Sequence, residues 1–179
     1  MLGSQEVVDK LEKLLASKYK FKKLANLGFS KSDSKGATFL NRVITLKDGK
    51  PRRLEVEADS RHAEIIVADL GVQNSRGIDA PAAQLSAKQQ MIDSKSPLLE
   101  RERCEKFRSL TMRGSYLAQD RIDLNEATKN LARSMSAPRE ASWDRLIRFG
   151  KYLVKHPSLT RIYRRRLEHW WIQITQDVR

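Results

Sequence analysis

The residues of this sequence that could do chemistry are its carboxylates, its single cysteine and its many cations. Enzymes that use paired divalent ions cluster aspartates and glutamates, because Mg²⁺ prefers oxygen ligands. No two acidic residues are adjacent anywhere in the chain. Phosphate-binding GxxxxGKS or GxxxxGKT loops, GxSxG turns and HExxH zinc motifs are also absent. The sequence therefore predicts no catalytic site.

The thiol of Cys104 lies near Arg101, Arg103 and Lys106 in the sequence. Neighbouring cations favour the reactive thiolate, although a partly packed thiol on a helix is the interpretation that we prefer. A lone cysteine excludes an internal disulfide. The three histidines are scattered and lack the spacing of a zinc site.

Positive charge is the strongest chemical signal in the sequence. Lysine and arginine total 35 against 22 acidic residues, which gives a net charge of +13. The excess is +5 in residues 1–90 and +8 in residues 91–179. Such a chain favours polyanions, because each neutralised phosphate releases condensed counterions. We therefore expect nucleic acid as the partner, and a basic protein without a polyanionic partner is the alternative.

Hydropathy bears on membranes and on location. No apolar run approaches the ~18 residues that a membrane span needs. The N-terminus has no apolar signal-peptide core. We expect an intracellular protein, in the cytoplasm or the nucleus, that has no membrane partner.

Two helices are predicted in the first 71 residues. Apolar residues at three-to-four spacing indicate a helix over residues 4–24, which Gly28 ends. Asp59 is expected to cap a second, short helix that Gly71 closes.

Between these helices the sequence predicts a β-hairpin. Residues 38–46 and 53–58 are rich in β-branched and alternating apolar residues, which is typical of strands. Asp48-Gly49 lies between them, and an Asp-Gly pair between two extended runs is a strong hairpin signal, because both residues tolerate positive φ.

Three helices are predicted after a polar stretch, residues 72–98, that we interpret as a linker or long loop. The first covers about 100–118, and the third about 139–155. The second begins with Asp123 as N-cap and Glu126 three residues later, a capping-box pattern. Short connections between such helices imply an antiparallel bundle. The predicted fold class is therefore α+β and predominantly helical.

Several aromatic and basic residues near the C-terminus have two interpretations. Trp143 and Tyr152 are expected to be core or core-edge residues, and stacking platforms for bases are the alternative. Arg161 with Arg164–Arg166 either follows a phosphate backbone or forms a solvated basic run. Trp170-Trp171 would normally be buried against another surface.

Short motifs follow one another through the second half of the chain: Phe107-Arg108-Ser109-Leu110, Tyr116-Leu117, Arg121-Ile122-Asp123, Met135-Ser136-Ala137-Pro138-Arg139, Trp143-Asp144 and Lys151-Tyr152-Leu153. Thr38-Phe39-Leu40-Asn41 precedes them. In order and spacing these motifs resemble the C-terminal part of reverse transcriptases from copia-type LTR retrotransposons. The resemblance covers roughly residues 6–157.

The resemblance implies a particular piece of a polymerase. In that family the catalytic Asp-Asp hairpin lies just before a helix like residues 4–24, and RNase H begins just after the third helix. The chain is therefore expected to lack both sets of carboxylates. Residues 1–71 would be a palm remnant with a primer-grip-like hairpin, and residues 72–98 would be a linker. Residues 99–157 would form a thumb and connection bundle, followed by a basic, aromatic tail at 158–179. No cofactor is expected, since magnesium would belong to the missing upstream part.

The resemblance also implies contacts with a template–primer duplex. Residues 38–58 would match the primer grip, and residues 100–118 would match the thumb helix that lies along the minor groove. A polymerase holds any sequence, so its grip should use backbone charge and groove shape rather than base edges. The implied contact positions are Phe39, Leu40, Asn41, Arg42, Ser109, Met112, Arg113, Tyr116, Arg121 and Arg139. The family has glycine at the position of Met112.

The leading hypothesis is a truncated segment of an RNA-directed DNA polymerase that grips an RNA–DNA or DNA duplex and is itself inactive. Its other partners would be the missing palm, fingers and RNase H parts of the retrotransposon polyprotein. One alternative is a non-enzymatic helical protein-interaction module that uses Met135, Trp143 and Trp170-Trp171. Another is an inactive, decayed copy.

Overall fold

Two stretches far apart in the sequence, Met1–Glu57 and Thr160–Arg179, form the first of two structural units. The second unit is the continuous stretch Ala58–Leu159. The computed structural model describes residues 5–84, 86–164 and 172–177. We call the two units the sheet unit and the helical unit. In this division residues 58–71 group with the helices, and the C-terminal strands group with the sheet.

The sheet unit contains one helix and six strands in its described residues. They are α1 (Gln5–Lys18), β1 (Phe21–Leu27), β2 (Gly36–Phe39), β3 (Arg42–Lys47), β4 (Arg53–Glu57), β5 (Thr160–Arg164) and β6 (Ile172–Asp177). The larger sheet is antiparallel in the order β2-β3-β4-β5, and β1 pairs with β6. Leu27 and Leu46 are buried in the apolar cluster of this unit, with Phe29, Phe39 and Leu54 packed around them.

The N-terminal helix is shorter than predicted. The prediction of a helix over residues 4–24 is wrong beyond Lys18, where α1 ends. Residues 21–27 form β1 instead, and Leu27 lies opposite Ile172 in β6. Because the partner strand lies near the other end of the chain, local apolar spacing carries no sign of it. Tertiary pairing overrides the local pattern here.

The predicted hairpin is confirmed between β3 and β4, with residues 48–52 as its connection. The prediction of a single strand from Thr38 to Leu46 is wrong, because the chain reverses at Leu40 and Asn41. These two residues have φ angles of 49° and 61°. Positive φ at both central residues is what a two-residue type I′ turn requires. β2 and β3 therefore form a hairpin of their own.

The helical unit contains α2 (Arg61–Leu70), α3 (Ala87–Ser94), α4 (Arg101–Ala118), α5 (Asn125–Ala132) and α6 (Glu140–Lys155). α2, α4, α5 and α6 pack around one apolar core, so the predicted association of the three C-terminal helices is confirmed. Burying a large apolar side chain contributes about 1.5–3 kcal/mol. Those with at most 1% exposure are Ile66, Phe107, Leu110, Leu124, Leu146, Phe149 and Leu153. The described residues thus form an α+β fold with six α-helices and a four-stranded antiparallel sheet.

The stretch 72–98 is more ordered than a linker, so that prediction is wrong in part. It contains α3, whose N-cap Ser86 accepts a hydrogen bond from the backbone N–H of Gln89. No residue of α3 is buried, and a helix without an apolar face has no hydrophobic periodicity to reveal it. Ile78 also donates its backbone N–H to the carbonyl of Lys151 in α6.

Two helix starts differ from the predictions. α5 begins at Asn125, and Asp123 does not act as its N-cap, because a 3₁₀ turn precedes the helix. α2 begins at Arg61 with Ser60 as its N-cap, so Asp59 lies one residue before the predicted position, although it accepts the backbone N–H of Arg61 at 3.1 Å. The end of α2 is as predicted, since Gly71 has a φ of 65° and its N–H bonds back to the last turn.

Candidate nucleic-acid interface

Four of the predicted contact residues lie on one side of α4. Residues three and four apart share a helix face, which groups Ser109, Met112, Arg113 and Tyr116. Arg113 is half-buried and the other three are exposed. The opposite side of α4 is buried in the core through Phe107, Leu110, Thr111, Gly114 and Leu117. We call the outward set, together with the exposed Lys106, the α4 face.

The two cations of the α4 face can meet an external anion. Within the described residues, neither Lys106 nor Arg113 has a hydrogen-bond or ion-pair partner. Arg103 of the same helix is instead held by Glu140, with 2.6 Å between Nη1 and Oε1. An unpaired cation has no intramolecular carboxylate to give up when a phosphate arrives.

The ring of Tyr116 packs against His62 of α2. Their ring centroids are 4.7 Å apart, with the planes tilted by 56°. Arg61, next to His62, forms hydrogen bonds with both carboxylate oxygens of Asp59. These bonds hold the pKa of Asp59 below its usual value. The contact with His62 positions the ring of Tyr116, while 44% of Tyr116 remains exposed.

Gly114 serves packing within the helical unit. A Cβ at this position would lie 3.2 Å from Cε1 of Phe149 in α6 and 3.3 Å from Cγ2 of Thr128 in α5. The small residue of α4 therefore lets the neighbouring helices approach. The α4 face itself carries Met112, which is 57% exposed.

Arg121 lies in the core and is not presented at the surface, since its relative exposure is 0%. Its Nη2 donates to Oδ2 of Asp123 at 2.6 Å, and its Nη1 donates to the carbonyl of His156 at 2.6 Å. Tyr152 donates its hydroxyl to the same Asp123 oxygen at 2.8 Å. The guanidinium thus joins the connection between α4 and α5 to the end of α6.

This network also determines protonation. Burial favours the neutral form of Asp123, but hydrogen bonds from Arg121 and Tyr152 outweigh it, and the pKa of Asp123 lies below its usual value. Burial, together with the hydrogen bond to Asp123, raises the pKa of Tyr152. At neutral pH the network therefore contains a carboxylate and a neutral phenol.

Arg139, another predicted contact, lines a groove bordered by α3, α5 and α6. The groove has a volume of about 790 Å³. Arg139 is half-buried and donates from Nη1 to the carbonyl of Ser96. We call this the arginine groove, because the charged residues that line it in the described part of the chain are Arg133, Arg139, Arg145 and Arg148 with Asp93 and Glu126. This groove was not predicted from the sequence. The only sequence pattern that points to it is the spacing of Arg145 and Arg148, which places both on one side of α6.

The remaining predicted contacts are in the sheet unit. Leu40 and Asn41 form the exposed turn between β2 and β3. Phe39 and Arg42 lie opposite each other at its base, and Phe39 packs against the apolar cluster of the sheet unit. The structure therefore brings these four residues together in one turn.

Other residues singled out in the sequence have structural contacts or lie outside the described residues. Cys104, Met135 and Trp143 are half-buried and pack against the helical core. Tyr152 is buried, as expected for a core residue. The tail residues Arg165, Arg166, Trp170 and Trp171 lie outside the described residues.

Neither a metal-binding cluster nor a membrane-spanning helix occurs in the described parts of the chain. In residues 5–84, 86–164 and 172–177, no three side chains of histidine, cysteine, aspartate or glutamate come together as metal ligands. None of the helices in these ranges has the length and apolar character needed to cross a bilayer.

Comparisons with known proteins identified no similar protein. No family model, no curated protein and no solved structure matches the chain.

Proposed function

We propose that the chain binds the backbone of a nucleic-acid duplex through the α4 face, as the thumb of a truncated reverse transcriptase would. The partner is an RNA–DNA hybrid or a DNA duplex. One observation carries the proposal: Lys106 and Arg113 lie two turns apart on the same side of α4 and have no ion-pair partner in the described residues. Ser109 lies between them and adds a hydroxyl group.

Charge supports a polyanionic partner for the whole chain. The net charge of +13 attracts nucleic acid over distances longer than any contact. Contact with phosphates then releases counterions, and this release makes the affinity fall steeply with salt concentration.

The composition of the α4 face favours binding that does not depend on base sequence. Lysine, arginine and serine commonly contact phosphate and sugar, and such contacts position a duplex without reading its bases. The exposed ring of Tyr116 and the side chain of Met112 add apolar surface beside these polar groups. A face of this kind suits a protein that must hold any template.

In this proposal the chain grips a duplex and does not extend a primer by itself. The β2–β3 turn, residues 39–42, would approach the primer end as a primer grip does. Palm, fingers and RNase H parts of a retrotransposon polyprotein would be its partners, and magnesium would bind to those parts.

The proposal is tested by titrating the full chain into a labelled RNA–DNA hybrid at several salt concentrations. If about six phosphates are contacted, affinity should fall roughly 10³-fold between about 50 and 200 mM salt. The double variant Lys106→Ala/Arg113→Ala should bind more weakly at low salt. It should also reduce the slope of log affinity against log salt by about two, because two phosphate contacts are lost.

Arg76→Ala is the matched control. Arg76 is exposed, belongs to the helical unit and has no hydrogen-bond or ion-pair partner in the described residues. Its loss should leave the slope almost unchanged. Equal slopes for the control and the double variant would show that the α4 face does not contact the duplex. Primer extension by the chain alone, with magnesium and nucleotides, would contradict the non-catalytic role.

A further inference from the structure

We infer that the arginine groove binds an unpaired nucleotide of a nucleic-acid strand, with its phosphate on Arg148. The inference rests on the proposed function in one respect, since it takes the phosphate to come from nucleic acid. It does not use the α4 face, whose residues do not line the groove.

Arg148 has an unsatisfied hydrogen-bond donor. Its Nε is buried and has no acceptor in the described residues. No other hydrogen bond or ion pair holds its guanidinium there. Nη1 and Nη2 of the same side chain are not buried and also have no acceptor in the described residues, so they are the donors that a ligand oxygen in the groove can reach.

Arg145 lies one turn earlier on the same side of α6 and is oriented by Asp93 of α3. Its Nη2 is 2.5 Å from Oδ2 of Asp93, yet its Nε is also buried without an acceptor in the described residues. One planar carboxylate is matched by one guanidinium fork, whereas a tetrahedral phosphate presents oxygens to two guanidinium groups at once. Two neighbouring arginines whose Nη1 groups have no acceptor in the described residues therefore favour a phosphate.

The size of the groove indicates a ligand larger than a phosphate ion. Its volume of about 790 Å³ falls within the range of pockets that enclose a whole small molecule. Five alanines contribute small side chains to the lining, at Ala82, Ala83, Ala127, Ala137 and Ala141. Gln84 and Ser134 add polar groups that can pair with a sugar or a base edge. A nucleotide has a phosphate for the arginines, and a sugar and a base for these polar groups.

The choice of a nucleic-acid strand over a phosphorylated peptide follows from charge. Among the described residues, four arginines and two carboxylates line the groove, and the chain as a whole carries +13. A nucleic-acid strand carries a charge at every nucleotide, so a positively charged protein increases its affinity more than that of a peptide with a single phosphate. A base already paired in a duplex is not free to enter a groove between helices, so the nucleotide is an unpaired one.

The test compares binding of the full chain to a labelled single-stranded oligothymidylate and to a blunt RNA–DNA hybrid at one fixed salt concentration. Arg148→Ala should weaken single-strand binding about tenfold or more, since charge-assisted hydrogen bonds to phosphate are lost. Its effect on the blunt hybrid should be less than about twofold on the same scale. Arg148→Lys keeps the charge and the aliphatic stem but loses the fork, and should lie between wild type and Arg148→Ala.

A second readout follows the arginine Nε–H signals by NMR. Thymidine 5′-monophosphate should shift the signals of Arg145 and Arg148, and thymidine, which lacks the phosphate, should not. Equal single-strand affinity for Arg148→Ala and the control Arg76→Ala would overturn the inference. So would a phosphopeptide that competes as well as the oligonucleotide, or inorganic phosphate that reproduces the whole nucleotide effect.

The two proposals fail separately. If Lys106→Ala/Arg113→Ala leaves hybrid binding unchanged while Arg148→Ala weakens single-strand binding, the groove proposal is retained and the proposal for the α4 face is rejected. The opposite pair of results retains the duplex grip and rejects the groove.

Discussion

Tyr152 donates a hydrogen bond from its hydroxyl to Oδ2 of Asp123 over 2.8 Å, between residues 29 positions apart in the sequence. The same oxygen accepts Nη2 of Arg121, which is completely buried. A buried guanidinium needs a counter-charge and a full set of acceptors, because it has left water. The Tyr152–Asp123 contact fixes the carboxylate that supplies the charge.

Asp123→Ala should destabilise the helical unit by about 3–5 kcal/mol, because it leaves the charge of Arg121 buried without its partner. Tyr152→Phe should cost about 1 kcal/mol, since one hydrogen bond is lost while the ring stays packed. Urea denaturation followed by circular dichroism measures both. Asp144→Ala, at an exposed residue of α6, is the control and should change stability little. A loss for Asp123→Ala no larger than for Asp144→Ala would contradict the structural role of the network.

Acid should destabilise the protein over a defined range. Hydrogen bonds hold the pKa of Asp59, Asp93 and Asp123 below the usual value in the folded state. A carboxyl with a lowered folded pKa stabilises the fold above its unfolded pKa of about 3.9. This contribution is lost as pH falls towards the folded pKa. The free energy of unfolding should therefore decrease as pH is lowered from about 5. Urea titrations across this range should show a shallower decrease for Asp123→Asn, and an unchanged pH dependence would contradict the assignment.

Gly77→Ala should weaken the attachment of the segment after α2 to α6. A Cβ at Gly77 would lie 2.6 Å from Cβ of Lys155 and 3.2 Å from its Cα and N. Backbone atoms cannot rotate away, so the segment must move, and overpacking of this kind costs about 1–3 kcal/mol. Gly49→Ala is the control, because its nearest neighbour would be at an ordinary 3.9 Å. Thermal unfolding should separate the two variants, and equal midpoints would show that the contact is not tight.

Adding a cation to the α4 face should strengthen duplex binding. Met112→Lys places a third positive charge among Lys106, Arg113 and Ser109, so affinity for the RNA–DNA hybrid should rise at low salt. The slope of log affinity against log salt should steepen by about 0.9, the value for one further phosphate contact. Met91→Lys adds the same charge at another exposed methionine, in α3. If the two variants behave alike, the gain comes from net charge and not from the α4 face.

Local patterns predicted the elements whose stability depends on nearby residues. α4 and α6 were predictable because their apolar residues recur at helical spacing and pack on one core. The β3–β4 hairpin was predictable because turn residues separate two alternating runs. The grouping of Ser109, Met112, Arg113 and Tyr116 on one side of α4 follows from the same periodicity.

Other features depend on contacts between distant residues, and no local pattern contains them. The family resemblance implied that Arg121 contacts the duplex, and only the fold brings Asp123 and the carbonyl of His156 to it. The arginine groove likewise needs three helices, one of which has no apolar face.

The amino-acid sequence by itself determined the excess of positive charge, the lack of adjacent acidic residues and the helices of the C-terminal half, because composition and short-range periodicity do not depend on the rest of the chain. Tertiary structure alone decided which cations are free and which are paired. It also decided that residues 160–164 complete the sheet begun by β2, β3 and β4. Burial and ion pairing are properties of residues brought together from distant positions, and they exist only when the chain has folded.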